Sequence, residues 1–324
     1  MHPARARPGF RGFPPPPGGS SMDSLRRVAT VTTVATLLLI TVGALVRASG
    51  AGLGCPDWPH CYGRWVPPLS VEDLPPSADR ATFNLAKTWT EYLNRLAGVL
   101  VGGLVLWTTW RAWSVRKAAR RVFPLALGIA LLTGFQGWIG GLVVKYELDP
   151  RWVTVHLFLA LLMLALLIEL RETTRLGDIP QSRREAGMPP LLARALKVLL
   201  WFSVIQILLG ALVRGGLEVV VQENPDLPRD RWIPTLGSVE LIHRLLAIAL
   251  ALAVLGFSWR LARSRETSAT DRRLAWTAAF LIAAQYGSGV GLHRWALPPT
   301  LQVIHITLAS WLFAVLFLLH RRVR

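Results

Sequence analysis

The chain has 324 residues, 52% of them hydrophobic and 17% charged, with fourteen Trp and a formal net charge of +17. A soluble domain of this length carries more charge, and the apolar residues here gather in runs as long as the ~20 residues a membrane-spanning helix needs. The charge does not call for nucleic acid as a partner: 24 Lys and Arg fall on one side of eight alternating crossings, 10 in the loops of the other, and Arg95 and Arg244 lie inside helices. This is the positive-inside bias, which places both termini in the cytoplasm and the chain, multi-pass, in a cell inner (cytoplasmic) membrane.

Residues 1–24 are rich in Pro, Gly and Arg, cannot bury a core, and are expected to be disordered, with Met22 an alternative start. Val28–Val46 follows as a first anchor helix; it is long, and no cleavage site is needed to explain what comes after it. The next loop, on the outer side, holds both cysteines, Cys55 and Cys61. An oxidising compartment favours a disulfide between them, facing outward. A redox-active pair and two free thiols are the alternatives, and a zinc site would need a second Cys pair.

Further spans are expected at Trp89–Trp110, Phe123–Val144, Trp152–Leu170, Leu196–Val213, Val239–Trp259, Leu274–Leu292 and Thr300–Leu319. A basic linker with Pro180, Pro189 and Pro190 divides the eight into two sets of four. The expected fold class is therefore all-α integral membrane, with eight transmembrane helices as two four-helix bundles in contact with membrane lipid. An N-terminal half covers 25–172, a cytoplasmic linker 173–194, and a C-terminal half 195–324.

The halves repeat one another. Glu91, Asn94 and Arg95 in helix two match Glu240, His243 and Arg244 in helix six, at an offset of 240 − 91 = 149. Gln136 and Gly140 match Gln285 and Gly289, and His156 matches His305, at the same offset of 149. Gly43-Ala44-Leu45-Val46-Arg47 matches Gly210-Ala211-Leu212-Val213-Arg214 at 210 − 43 = 167, so the first outer loop is longer than its counterpart by 167 − 149 = 18 residues. Four crossings per half make the repeats parallel, related by an axis along the membrane normal.

Of seven His, three lie within helices: His156, His243 and His305. Ionisable groups inside a membrane are costly and mark function more often than structure. Each falls near the outer start of its helix, level with Glu91, Glu240, Arg47 and Arg214, so these polar groups form one layer. Glu at one position with Asn or His three later and Arg four later share a helix face. Two imidazoles from alternate helices, His243 and His305, can ligate a heme iron from opposite sides, and Arg47, Arg95, Arg214 and Arg244 can pair with its propionates or support the site. The competing reading is a hydrogen-bonded polar seam between helices; a metal without a porphyrin would more often use clustered His or Cys.

These residues resemble the heme A synthase family. The likeness rests on Gly43-Ala44-Leu45-Val46-Arg47, on Gly50-Ala51-Gly52-Leu53-Gly54-Cys55-Pro56-Asp57-Trp58-Pro59-His60-Cys61, on Glu91 with Arg95, on His156, on Glu240-Leu241-Ile242-His243-Arg244 and on His305. The resemblance implies an oxidoreductase that takes a ring methyl of heme O to a formyl group by successive hydroxylations, giving heme A for terminal oxidases. It implies heme b as cofactor on His243 and His305, His156 as a substrate-heme ligand and Glu91 as the catalytic carboxylate. Heme O synthase and an electron donor are the implied partners.

The chain departs from the family at two points. Asn94 stands where a second histidine ligand is usual, and the loop Gly215–Thr235 lacks the second Cys pair of many members. Asn is a poor iron ligand. The alternative function is therefore a bis-His heme b membrane electron carrier, quinol-linked, with a degenerate first half; a heme-handling protein without catalysis is a third.

Overall fold

The computed structural model describes residues 19–177, 188–264 and 267–322. Long helices are α1 (Gly19–Ala48), α2 (Leu85–Ser114), α3 (Val122–Lys145), α4 (Pro150–Gly177), α5 (Pro190–Glu223), α7 (Ser238–Arg263), α8 (Ala269–Arg294) and α9 (Pro299–Arg322). A four-residue turn, α6 (Trp232–Thr235), precedes α7. Where caps form, their chemistry is visible: the Asn84 side chain accepts from the Lys87 N–H ahead of α2, and Ser268 accepts from Asp271 ahead of α8.

Seven of these helices are long and apolar enough to cross a membrane. The exception is α8, which opens on Asp271, Arg272 and Arg273 and carries Gln285, Tyr286 and Ser288 in its second half. It packs between α7 and α9 as their neighbours do, with Ala275, Ala278, Ala279, Leu281 and Ile282 buried. Its polarity lies at its basic end and at the site described below, and the expected eight-helix arrangement accommodates it.

Two expectations need correction. Residues 19–24 are helical, because the turn before Val28 continues smoothly into it; the Pro-rich residues 1–18 lie outside the described residues. The third outer loop is shorter than Gly215–Thr235, since α5 runs on to Glu223. At ~1.5 Å per residue its 34 residues reach well past a ~30 Å hydrocarbon core. Pro180 and most of the linker also fall outside the described residues.

In the first half α1 packs on α2 and α4, α2 on α3, and α3 on α4, closing a ring; in the second, α5 packs on α7, α7 on α8, α8 on α9 and α9 on α5. The halves meet through α1 on α9, α4 on α5, and α4 on α9. If α1 corresponds to α5 and α4 to α9, the first two contacts are images of each other and the third sits on the axis, as a parallel repeat requires. Leu37, Leu161, Leu164 and Ile168 share one buried cluster with Leu250, Val254, Leu312 and Leu316 across that seam. Buried Thr residues satisfy their hydroxyls locally: Thr32 Oγ1 lies 2.9 Å from the Val28 carbonyl and 2.9 Å from Thr108 Oγ1, which ties α1 to α2 without an unpaired polar atom.

The loop between α1 and α2 is stapled by a Cys55–Cys61 disulfide, so the expected pairing is present. Asp57, between the cysteines, accepts the Tyr62 N–H at 2.6 Å and the Gly63 N–H at 2.8 Å. Gly54 has no room for a side chain: a Cβ there would lie 2.3 Å from the Lys87 carbonyl oxygen. That close approach seats the loop on the first turn of α2, where Thr88 Oγ1 donates to the Gly54 carbonyl at 2.9 Å.

Candidate functional site

Glu91, His156, His243 and His305 each lie within six residues of the first residue of their helix, or ~9 Å along it. The fold brings them to the end of the molecule that bears the Cys loop. Each of these histidines rests on a glycine of a neighbouring helix. A Cβ on Gly210 would lie 3.2 Å from His243 Cε1, one on Gly289 3.2 Å from His305 Cε1, and one on Gly140 3.4 Å from His156 Cε1. At the fourth position Asn94 Oδ1 would lie 4.0 Å from a Cβ on Gly43. Interiors are packed tightly enough that an added methyl at the three close seats would push the ring aside.

What holds the rings differs between the halves. Gln206 Nε2 donates to the His243 carbonyl at 2.8 Å and lies 3.0 Å from His243 Nδ1. Ser288 Oγ lies 2.8 Å from His305 Nδ1, and Gln285 Nε2 lies 3.0 Å from His305 Nε2. In the first half Gln136 Nε2 donates to the His156 backbone carbonyl at 2.8 Å, but His156 Nδ1 is buried without a partner. The Oε1 atoms of Gln136, Gln206 and Gln285 are buried and unpartnered as well.

Buried polar atoms left unpaired cost about 1–3 kcal/mol each, and such a collection around imidazoles suits a site that takes a ligand. The donor set fits a heme. The rings of His243 and His305 come from separate helices, α7 and α9, of one closed bundle. Among the described residues no group of three or more His, Cys, Asp or Glu could hold a bare metal ion. A porphyrin supplies four ligands of its own and asks the protein for only one or two.

Glu91 is 5% exposed, and its Oε1 accepts from Arg95 Nε at 3.1 Å. Arg95 spends its other donors on the Cys loop: Nη1 reaches the carbonyls of Asp57 at 2.7 Å and His60 at 2.8 Å, and Nη2 that of Cys55 at 3.2 Å. The structure thus gives Arg95 a supporting role at the loop. Arg95→Ala would strand the Glu91 charge and three carbonyls, a loss of about 3–5 kcal/mol by comparison with other broken buried pairs. Limited proteolysis should cut between residues 55 and 64 faster in that variant, and Arg95→Lys should recover only part, lacking the planar fork.

The other arginines lie elsewhere in the layer. Arg47 Nη2 meets Glu218 Oε2 at 3.0 Å across the seam between the halves, and Arg214 Nη2 lies 3.5 Å from Glu218 Oε1. Arg244 Nη2 stands 3.7 Å from Glu240 Oε2, with His293 Nδ1 at 3.7 Å on the other carboxylate oxygen. A cavity of about 610 Å3 lies beside the loop, lined by Pro56, Asp57, Trp58, Trp138, Leu142 and Lys145.

Sequence reasoning did not single out Gln206, Ser288 or Glu218. Their positions in the other half hold Leu39, Ile139 and Ala51. A search for what repeats passes over them.

Residues 26–317 match the model of the COX15-CtaA family, described as cytochrome oxidase assembly protein. The chain is 28% identical over 306 residues to a heme A synthase of Shouchella clausii, covering 90% of this chain and 94% of that protein. It is 29% identical over 321 residues to the heme A synthase of Methylorubrum populi, covering 85% and 79%. With the heme A synthase of Shewanella oneidensis the identity is 33% over 214 residues, or 64% of this chain and 62% of that one.

Proposed function

This chain belongs to the COX15-CtaA family of cytochrome oxidase assembly proteins, and on that premise we propose that it is a heme A synthase, an oxidoreductase that oxidises a ring methyl of heme O to a formyl group. The supporting observation is the inequality of its two histidine sites. The second half offers two imidazoles whose ring nitrogens are hydrogen-bonded; the first offers His156 alone, Asn94 opposite the Gly43 seat, and a buried Glu91 one turn before Asn94.

In this reading His243 and His305 hold heme b, which supplies a redox-active iron when bound. His156 holds the substrate heme as its sole protein ligand, since Asn94 is a poor donor to iron. One ligand rather than two eases the entry of heme O and the departure of heme A. Two successive hydroxylations, each a two-electron oxidation that draws on an oxidant such as dioxygen from outside the chain, carry the methyl to a gem-diol, which loses water to leave the formyl group. Glu91, oriented by Arg95, holds or moves the proton this chemistry needs. Arg47, Arg214 and Arg244 are the cations available to the propionates. The protein lies in the inner membrane with both termini cytoplasmic, takes heme O from heme O synthase, and depends on an external electron donor.

Asn94 favours one competing reading, an electron carrier with a degenerate first half. Cells that contain heme O but lack heme A separate the two. Expressing this chain should produce heme A in extracted pigments, and Asn94→His should add a second low-spin six-coordinate heme to the purified protein. No heme A from the wild type, restored by Asn94→His, would instead support the carrier.

A further inference from the structure

Ser288 Oγ donates its one proton to the Gln285 carbonyl at 2.8 Å, so toward His305 Nδ1, also at 2.8 Å, it can only accept. In that arrangement His305 carries its proton on Nδ1 and its lone pair on Nε2. The other side of the ring agrees: the Gln285 amide Nε2, which can only donate, faces His305 Nε2 at 3.0 Å. Both neighbours are compatible with the Nδ1–H tautomer, in which the Nε2 lone pair would meet a metal once the Gln285 amide yields it.

His156 has the same seat and no such partner. Gly140 and Gly289 stand in equivalent contact with their rings, the would-be Cβ lying 4.0 Å from His156 Nδ1 and 3.8 Å from His305 Nδ1. The residue one position before each glycine differs: Ser288 before Gly289, Ile139 before Gly140. Ile139 is 2% exposed and has no polar atom to offer, and His156 Nδ1 is buried without a partner.

We infer that Ser288 is the positioning residue that makes His305 a retaining ligand, and that Ile139 at the matching place makes His156 a releasing one. This rests on the reading of the second half as the seat of resident heme b and the first as the seat of the substrate. An imidazole whose Nδ1–H is given to an acceptor is the more basic donor at Nε2; it binds iron more firmly and favours the ferric state. A resident cofactor requires that firmness. A substrate that must leave as product is better held without it, so one buried hydroxyl, present in one half and absent from the other, sorts the two hemes.

The test uses the full-length protein in detergent, with four variants at these two positions. Ser288→Ala should raise the midpoint potential of heme b and transfer heme to apomyoglobin about 10–100-fold faster, the usual effect of removing a ligand's outer partner. Ser288→Thr, which restores the hydroxyl, should match the wild type in both. Ile139→Ser should keep more heme per purified chain than the wild type, whereas Ile139→Ala, which removes the same bulk without a hydroxyl, should not. Wild-type potential and wild-type transfer rate in Ser288→Ala would overturn the inference. Should Ser288→Ala not accumulate, the first-half pair decides, and equal heme content in Ile139→Ser and Ile139→Ala overturns it. Failure of the underlying reading looks different: His305→Ala would then leave the heme b spectrum unchanged.

Discussion

His305→Ala is expected to abolish the low-spin heme b spectrum of the purified protein, and His243→Ala to do the same. Each removes one of two imidazoles that come from separate helices, α9 and α7, and no other His of the second half can replace it. His293 lies at the end of α8, where its Nδ1 stands 3.7 Å from Glu240. Alanine would also leave Gln206, or Ser288 and Gln285, facing an empty seat of polar atoms. Loss of the iron bond and of these contacts acts in one direction, so the effect should be complete rather than graded. Pyridine hemochrome assay against protein concentration gives the stoichiometry. Cysteine labelling under denaturing, non-reducing conditions, which should find no free thiol, shows that the first half is still intact. Full heme content in both variants would place the cofactor elsewhere.

The architecture was largely legible because membrane insertion constrains sequence so strongly. Apolar runs, basic loops and a repeat offset of 149 across three helices suffice to lay out the helices and pair them. The repeat also marked the glycines that prove to be the seats, since Gly43 matches Gly210 and Gly140 matches Gly289. It misled at Arg95. Arg244, its counterpart, stands loosely beside Glu240 at 3.7 Å, while Arg95 is consumed by three carbonyls of an insertion the second half does not possess. The repeat was also blind to Gln206, Ser288 and Glu218, whose counterparts in the other half are Leu39, Ile139 and Ala51. Symmetry identifies a shared scaffold; the chemistry that makes one half differ from the other lies in positions that break it. Asn94 was the one such break visible without coordinates, because it replaced a residue type that carries chemistry.

Glu91→Gln should leave the heme b spectrum intact and lower heme A formation by about 10²–10⁴-fold, the range usual for removing a general acid or base. The carboxylate has two possible tasks. It is the counter-charge of Arg95, which anchors the Cys loop, and it is the one carboxylate of α2, a turn before Asn94. Glutamine separates them. Its Oε1 can still accept from Arg95 Nε as Glu91 does at 3.1 Å, so the loop keeps its anchor, but the amide cannot hold or release a proton. The proposed heme b site is built on α5, α7, α8 and α9, whereas α2 packs on α1 and α3. Glu91→Asp adds a graded control: it keeps the proton and shortens the reach by one methylene, so activity between those of Gln and wild type is expected. Wild-type turnover in Glu91→Gln would reduce Glu91 to a partner of Arg95. Loss of heme b or of loop resistance to protease in the same variant would assign the effect to folding, because a proton carrier can be removed without disturbing either.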